Sequence, residues 1–116
     1  MKILVCGHRE FDDWQLMVET MAPYQEIEDL VIIEGEAKGA DFLARVWGKW
    51  MGKVVEAYPA DWKTYGVGAG PIRNKEMLVK GKPNLVIAFL SKGSKGTANM
   101  IKQAKEANVE TIVVNI

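Results

Sequence analysis

The chain has 116 residues, 48% hydrophobic and 26% charged, a size and composition that fit one globular domain. Its fifteen basic and fifteen acidic residues cancel, so no global field draws it onto nucleic acid or an anionic membrane, and a bound anion must be held by local geometry. With one cysteine and one histidine, neither an internal disulfide nor a zinc site can be built.

In chain order, Met1 leads straight into the apolar run Ile3–Cys6, so the expectation is that no cleavable signal peptide is present. No later run approaches the ~20 residues that span a bilayer. The expectation is a soluble, cytoplasmic protein with no membrane partner. Trp14, Met17, Val18 and Met21 share one helical stripe, which Pro23 should end. Leu30–Ile33 reads as a second strand. Ala40, Leu43, Ala44, Trp47 and Met51 then form a helical stripe that stops at Gly52. Lys53–Ala57 is a third strand.

The segment Pro59–Gly70 carries Trp62, Tyr65 and three glycines without periodicity and reads as a functional loop. Ile72–Lys80 is a short helix, with Pro71 suited to its first turn and Gly81 at its stop. Leu85–Phe89 is a fourth strand. Met100, Ile101, Ala104, Ala107 and Asn108 make a less regular helix, and Thr111–Val114 is the fifth strand. Most of these strands are apolar at consecutive positions, as suits strands covered on both faces. The alternation predicts an α/β fold: a single Rossmann-like three-layer domain over residues 1–116. Its parallel five-stranded sheet has order 3-2-1-4-5, with helices on both faces.

Ligands in such folds bind outside the carboxyl ends of the strands, where the strand order reverses. Three turns follow strands there: Gly7-His8-Arg9, Gly35 to Asp41, and Ser91 to Thr97. All are glycine-bearing and open into helices, so their backbone N–H groups can approach an anion beside a favourable helix N-terminus. The candidate ligand-binding residues are Gly7, His8, Arg9, Gly35, Glu36, Gly39, Asp41, Arg73, Asn74, Ser94, Lys95, Gly96 and Thr97.

Plain structural roles compete at several of them. Any one glycine can serve a positive φ alone, Asp41 can be a helix cap, and Lys92 and Lys95 can form a solvated face. His8 has no visible catalytic partner. Arg73 and Asn74 lie near a helix start, where a cation opposes the dipole unless an anion compensates. Trp47 and Trp50 read as core and edge packing, and Trp62 as a loop aromatic within reach of ligand. There is no P-loop, no GxGxxG fingerprint and no metal or cofactor pattern.

Five motifs together resemble the YspA-related branch of the SLOG superfamily. They are Gly7 and Arg9 with Phe11 and Asp12; Gly35 to Asp41; Pro59-Ala60-Asp61-Trp62; Ala69-Gly70-Pro71 with Arg73, Asn74 and Met77; and Gly96-Thr97-Ala98-Asn99-Met100. The likeness runs from Ile3 to about Val114. That superfamily also holds the DprA/Smf proteins and the LOG phosphoribohydrolases. The resemblance implies a Rossmann-like fold binding nucleotides or nucleotide-derived signals, in a branch proposed to contain sensors tied to phage conflict or stress.

By position, the resemblance makes Gly96 and Thr97 the phosphate-binding pair, and sets Arg73 and Asn74 at the ribose end. It also implies a departure. LOG-type enzymes carry a glutamate where this chain has Met100, and their Pro-Gly-Gly opening is replaced by Ser91-Lys92-Gly93-Ser94-Lys95.

The leading expectation is therefore a sensor of a nucleotide or nucleotide-derived small molecule, without catalysis and without a cofactor. An enzyme cleaving the N-glycosidic bond of a nucleoside monophosphate is the first alternative, with Glu36 and Asp41 as the candidate carboxylates. A DprA-like DNA-binding protein is the second, disfavoured by the neutral charge and the lack of a basic stripe. A homo-oligomer is compatible with the sequence but not specified by it.

Overall fold

The computed structural model describes residues 1–116. Its strands are β1 (Lys2–Gly7), β2 (Val31–Glu34), β3 (Val54–Ala57), β4 (Leu85–Leu90) and β5 (Glu110–Asn115). The helices are α1 (Trp14–Met21), α2 (Ala40–Trp50), α3 (Trp62–Tyr65), α4 (Ala69–Val79) and α5 (Lys95–Glu106). All strand pairs are parallel, in the order β3-β2-β1-β4-β5. Ile3 of β1 stands between Ile32 of β2 and Leu85 of β4. The expected α/β architecture and strand order are those observed.

Because side chains alternate along a strand, β1 divides the core in two. Ile3 and Val5 face the layer of α1 and α2, joined by Ile32, Ile87, Phe89 and Trp47. Leu4 and Cys6 face α4 and α5, joined by Ile33, Val86, Ala88, Met77 and Met100. Each large side chain buried here stabilises the fold by about 1.5–3 kcal/mol relative to its exposed state, and both faces of β1 and β4 are filled. The continuous apolar reading holds for these central strands. It fails for β3 and β5, which lie at the sheet edges and are only half covered.

Local signals explain the helix ends. The side chain of Asp13 accepts from the N–H of Leu16 and caps α1, and Pro23 falls in a 3-10 turn immediately after it. Gly52 takes φ +70° beyond α2, as a helix stop requires. Trp47 is fully buried, whereas Trp50 is exposed and leans on Trp14 with ring centroids 5.9 Å apart.

Three expectations need correction. The stretch Pro59–Gly70 is not an irregular loop: Asp61 caps the single turn α3, and a 3-10 turn over Gly66–Gly68 leads directly into the next helix. Helix α4 begins at Ala69 rather than Ile72, so Arg73 sits in its second turn and not against the N-terminal dipole. At the other end of the sheet, α5 stops at Glu106, and Asn108 turns the chain with φ +58°. No helix is long and apolar enough to cross a membrane.

Candidate functional site

The chain leaves β1 toward the α1–α2 layer and leaves β4 toward the α4–α5 layer. Adjacent strands whose connections diverge open a crevice at their carboxyl ends. A cleft of about 660 Å³ lies there, between the turn after β1, the α3–α4 segment and the first turn of α5. That volume falls in the range of about 300–1,000 Å³ typical of small-molecule sites. A shallower hollow of about 450 Å³ lies beside Ser91–Lys95 and Asn115–Ile116, and the candidate carboxylates and Arg73 are not part of it.

One side of the cleft is built by packing. Asp41, in the first turn of α2, is buried, and its Oδ2 accepts from the N–H groups of Gly35 at 2.9 Å and Ala37 at 3.4 Å. It therefore clamps the β2–α2 turn from within instead of capping the helix, whose N-cap is Gly39. Burial pushes the Asp41 carboxyl above its ordinary range, opposed by the nearby Arg73 guanidinium and those two N–H groups.

Arg73 donates from Nη1 to the carbonyl of Gly35 and from Nε to Asn74 Oδ1 at 3.2 Å. Three of its five N–H donors make no hydrogen bond within the chain. Asn74, buried, donates to the carbonyl of Gly96 at 3.2 Å and to Asn99 Oδ1 at 3.1 Å. Gln103 Nε2 extends the network from Asn99 to the carbonyl of Pro71. The two walls are thus joined by side-chain amides and one guanidinium, with α4 as the bridge.

The other side is open backbone. Ser94 is the N-cap of α5, so Gly96 and Thr97 lie inside its first turn and not before it. A Cβ built on Gly93 or Gly96 meets nothing within 4 Å. Lys95 and Gly96 are exposed and Thr97 is buried. His8 Nδ1 lies 3.1 Å from Ser94 Oγ, tying the turn after β1 to the turn after β4. Arg9 holds its guanidinium 5.6 Å from the centroid of the Trp62 ring, within reach of a cation–π attraction.

Of the thirteen candidate residues, Gly7, His8, Arg9, Asp41, Arg73, Asn74, Ser94, Lys95, Gly96 and Thr97 line the cleft. Gly35 and Gly39 do not line it. A Cβ at Gly35 would stand 2.5 Å from Arg73 Nη1, and one at Gly39 would stand 2.2 Å from the carbonyl oxygen of His8. Glu36 also lies outside the lining, paired with Arg45 at 3.9 Å; the carboxylates of the cleft are Asp41 and the exposed Glu10, which no motif in the sequence marks. Met100 is fully buried in the core, while its neighbour Asn99 faces the cleft. Cys6 also lines it, but burial pushes its thiol pKa far up, so it is no nucleophile at neutral pH.

Glu34 went unread in the sequence. It ends β2, is fully buried, and accepts from the N–H of Glu36 at 2.7 Å through Oε1, while Oε2 has no partner. Burial raises its pKa to about 7. The signal was a carboxylate closing an apolar strand directly before a glycine turn.

Comparison with known proteins agrees with this geometry. The model of the family described as YAcAr, a YspA, cpYpsA-related SLOG family, matches residues 1–65. The Gene 61 protein of Mycobacterium phage D29 is 30% identical over 122 residues, spanning 96% of this chain and 94% of that protein. The crystal structure of DNA processing protein A (DprA) from Streptococcus pneumoniae superposes with a TM-score of 0.74 at 21% identity. That match covers 97% of this chain but 49% of DprA, so this chain spans about half of its length, and the likeness is one of fold.

Proposed function

The chain belongs to the YspA, cpYpsA-related SLOG family, and from that premise we propose that its cleft binds a nucleotide or nucleotide-derived phosphate as a sensor. The observation that carries this reading is the first turn of α5. Gly96 is exposed there with nothing within 4 Å of its missing Cβ, beside Lys95 and Thr97 in the lining of the cleft. Backbone N–H groups at the start of a twelve-residue helix favour a phosphate through both hydrogen bonding and the helix dipole. The three unengaged donors of Arg73 support a contact with the sugar or with a second phosphate oxygen. Asn74 acts differently, since both of its amide ends are already committed within the chain.

Binding is favoured over hydrolysis by the carboxylates. Cleaving an N-glycosidic bond calls for a carboxylate free to stabilise positive charge or activate water. Asp41, the buried carboxylate of the cleft, is occupied by two backbone N–H groups, and Glu10, the other, is exposed with no side-chain hydrogen bond or ion pair to position it. The fold shared with DprA keeps DNA as a probe, but the zero net charge argues against a phosphate-driven DNA interface.

Calorimetry with the four nucleoside 5′-monophosphates tests the proposal. The wild type is expected to bind at least one of them, and Gly96→Val is expected to lose at least tenfold in affinity while remaining folded. Unchanged affinity in a folded Gly96→Val protein refutes the phosphate site. Free base released near 1 per second, within the usual range of enzymes, would replace the sensor with an enzyme.

A further inference from the structure

The geometry points to Trp62 as a platform for a planar base, so that the cleft takes a nucleotide with its base attached and discriminates against a bare sugar phosphate. This inference rests on the phosphate reading of the α5 turn and names the other end of the ligand. Trp62 lines the cleft yet is 48% exposed, and its neighbour in the lining, Val67, is 98% exposed. Large apolar side chains left open inside a concave site are surface that a ligand can cover.

The indole is also held in place. Asp61 Oδ1 accepts from the N–H of Thr64 at 3.1 Å and fixes the single turn that carries Trp62. The ring edge rests over Gly70, where an added Cβ would lie 3.5 Å from Cη2. Arg9 covers the ring at 5.6 Å from its centroid, is exposed, and makes no side-chain hydrogen bond or ion pair. A flat ring between guanidinium and indole needs two contacts of ~3.5 Å, about 7 Å in all. Arg9 therefore has to withdraw by roughly 1.5 Å, a small motion for a free, exposed side chain. Bases are commonly held between aromatic and guanidinium planes in this way. Stacking is worth roughly 5- to 150-fold in affinity per base.

The test is calorimetric titration of adenosine, guanosine, cytidine and uridine 5′-monophosphates beside ribose 5-phosphate. Wild type, Trp62→Ala, Trp62→Phe and Gly96→Val are compared, with the melting temperature of each recorded. The wild type should bind at least one nucleotide at least fivefold more tightly than ribose 5-phosphate. In Trp62→Ala that preference should vanish while affinity for ribose 5-phosphate stays, and Trp62→Phe should restore part of it. Gly96→Val should lose nucleotide and sugar phosphate together. Nucleotide affinity unchanged in Trp62→Ala but lost in Gly96→Val would overturn the platform and leave the phosphate reading standing. A wild type that binds none of the five compounds would overturn both.

Discussion

The two glycine turns facing the cleft look alike in sequence and do opposite work in the structure. In the turn after β2, glycine is a packing residue: a Cβ at Gly39 would stand 2.2 Å from the His8 carbonyl oxygen, and one at Gly35 would displace the Arg73 guanidinium, 2.5 Å away. Gly7 belongs with them, since its Cβ would lie 2.7 Å from both Ala40 and Phe89. At the junction of β4 and α5, Gly96 has empty space where a Cβ would be, as does Gly93, whose φ of +85° separately calls for glycine. Crowded glycines let the start of α2 settle onto the sheet, whereas open ones leave backbone accessible from the cleft. A glycine-rich turn therefore becomes a binding element through what stands around the glycine.

The sharpest way to break this comparison is Gly39→Ala. Gly39 holds φ +74°, and its new methyl would lie 2.2 Å from the carbonyl oxygen of His8. With ψ at −124° this is a backbone conformation that an L side chain rarely adopts, at a cost of about 1–3 kcal/mol, and overpacking adds about 1–3 kcal/mol. We expect a loss of roughly 3 kcal/mol, seen as a fall in Tm of roughly 10 °C. A variant as stable as the wild type would show that the β2–α2 turn is not packed as described.

The contrast between the turns lay beyond sequence reasoning for a definite reason. Periodicity and apolar runs report one residue's surroundings along the chain, and they placed the strands and most of the helices. The crowding at Gly39 comes from His8, thirty-one positions earlier, and the crowding at Gly35 from Arg73 on another helix. Similarly, α3 has four residues and no buried face, so it left no stripe to read. Its signal was the Asp61 cap alone. The early start of α4 was hidden because Ala69-Gly70-Pro71 resembles a turn, although proline is well tolerated within the first turn of a helix. Ten candidate residues meet in the cleft because the fold brings the strand ends together. Glu34 stands one residue past the apolar run Leu30–Ile33, and its burial follows from the place of β2 in the sheet, which local sequence does not report.

Titration of Glu34 offers an effect of intermediate size that should act on the packed side alone. Burial raises its pKa from 4.5 to about 7. Between those values the folded state holds the proton more tightly than the unfolded chain. Stability from this group is therefore fully present below about pH 4.5 and is lost as pH rises toward 7. For this fully buried side chain the change is on the order of 2–3 kcal/mol. Glu34→Gln removes it. In urea unfolding at pH 5, 6, 7 and 8, the wild type should gain on the variant by that amount as pH falls. The Asp41 carboxyl, also raised, is present in both proteins, and its repulsion of the Glu34 carboxylate is part of the difference that is read. A difference that stays flat with pH would mean that Glu34 titrates as an ordinary surface carboxylate.

The smallest expected effect has the opposite sign, which makes it the cleanest comparison with Gly39→Ala. Gly96 is the second residue of α5, has no positive φ, and is exposed with nothing within 4 Å of a built Cβ. Alanine is therefore free of strain there. It also restricts the unfolded chain, an effect worth about 0.4–1 kcal/mol when the native conformation is compatible. Gly96→Ala should accordingly raise stability by roughly 0.5 kcal/mol, with a gain of about 2 °C in Tm. Its methyl would nevertheless occupy space beside the first N–H groups of α5, where the phosphate is proposed to sit, so nucleotide affinity should fall as stability rises. A structural glycine cannot give that combination, because filling it would lower stability. Melting and calorimetry on the same sample separate the cases. A less stable Gly96→Ala protein would erase the distinction between the two turns, and a more stable one with undiminished affinity would move the phosphate away from Gly96.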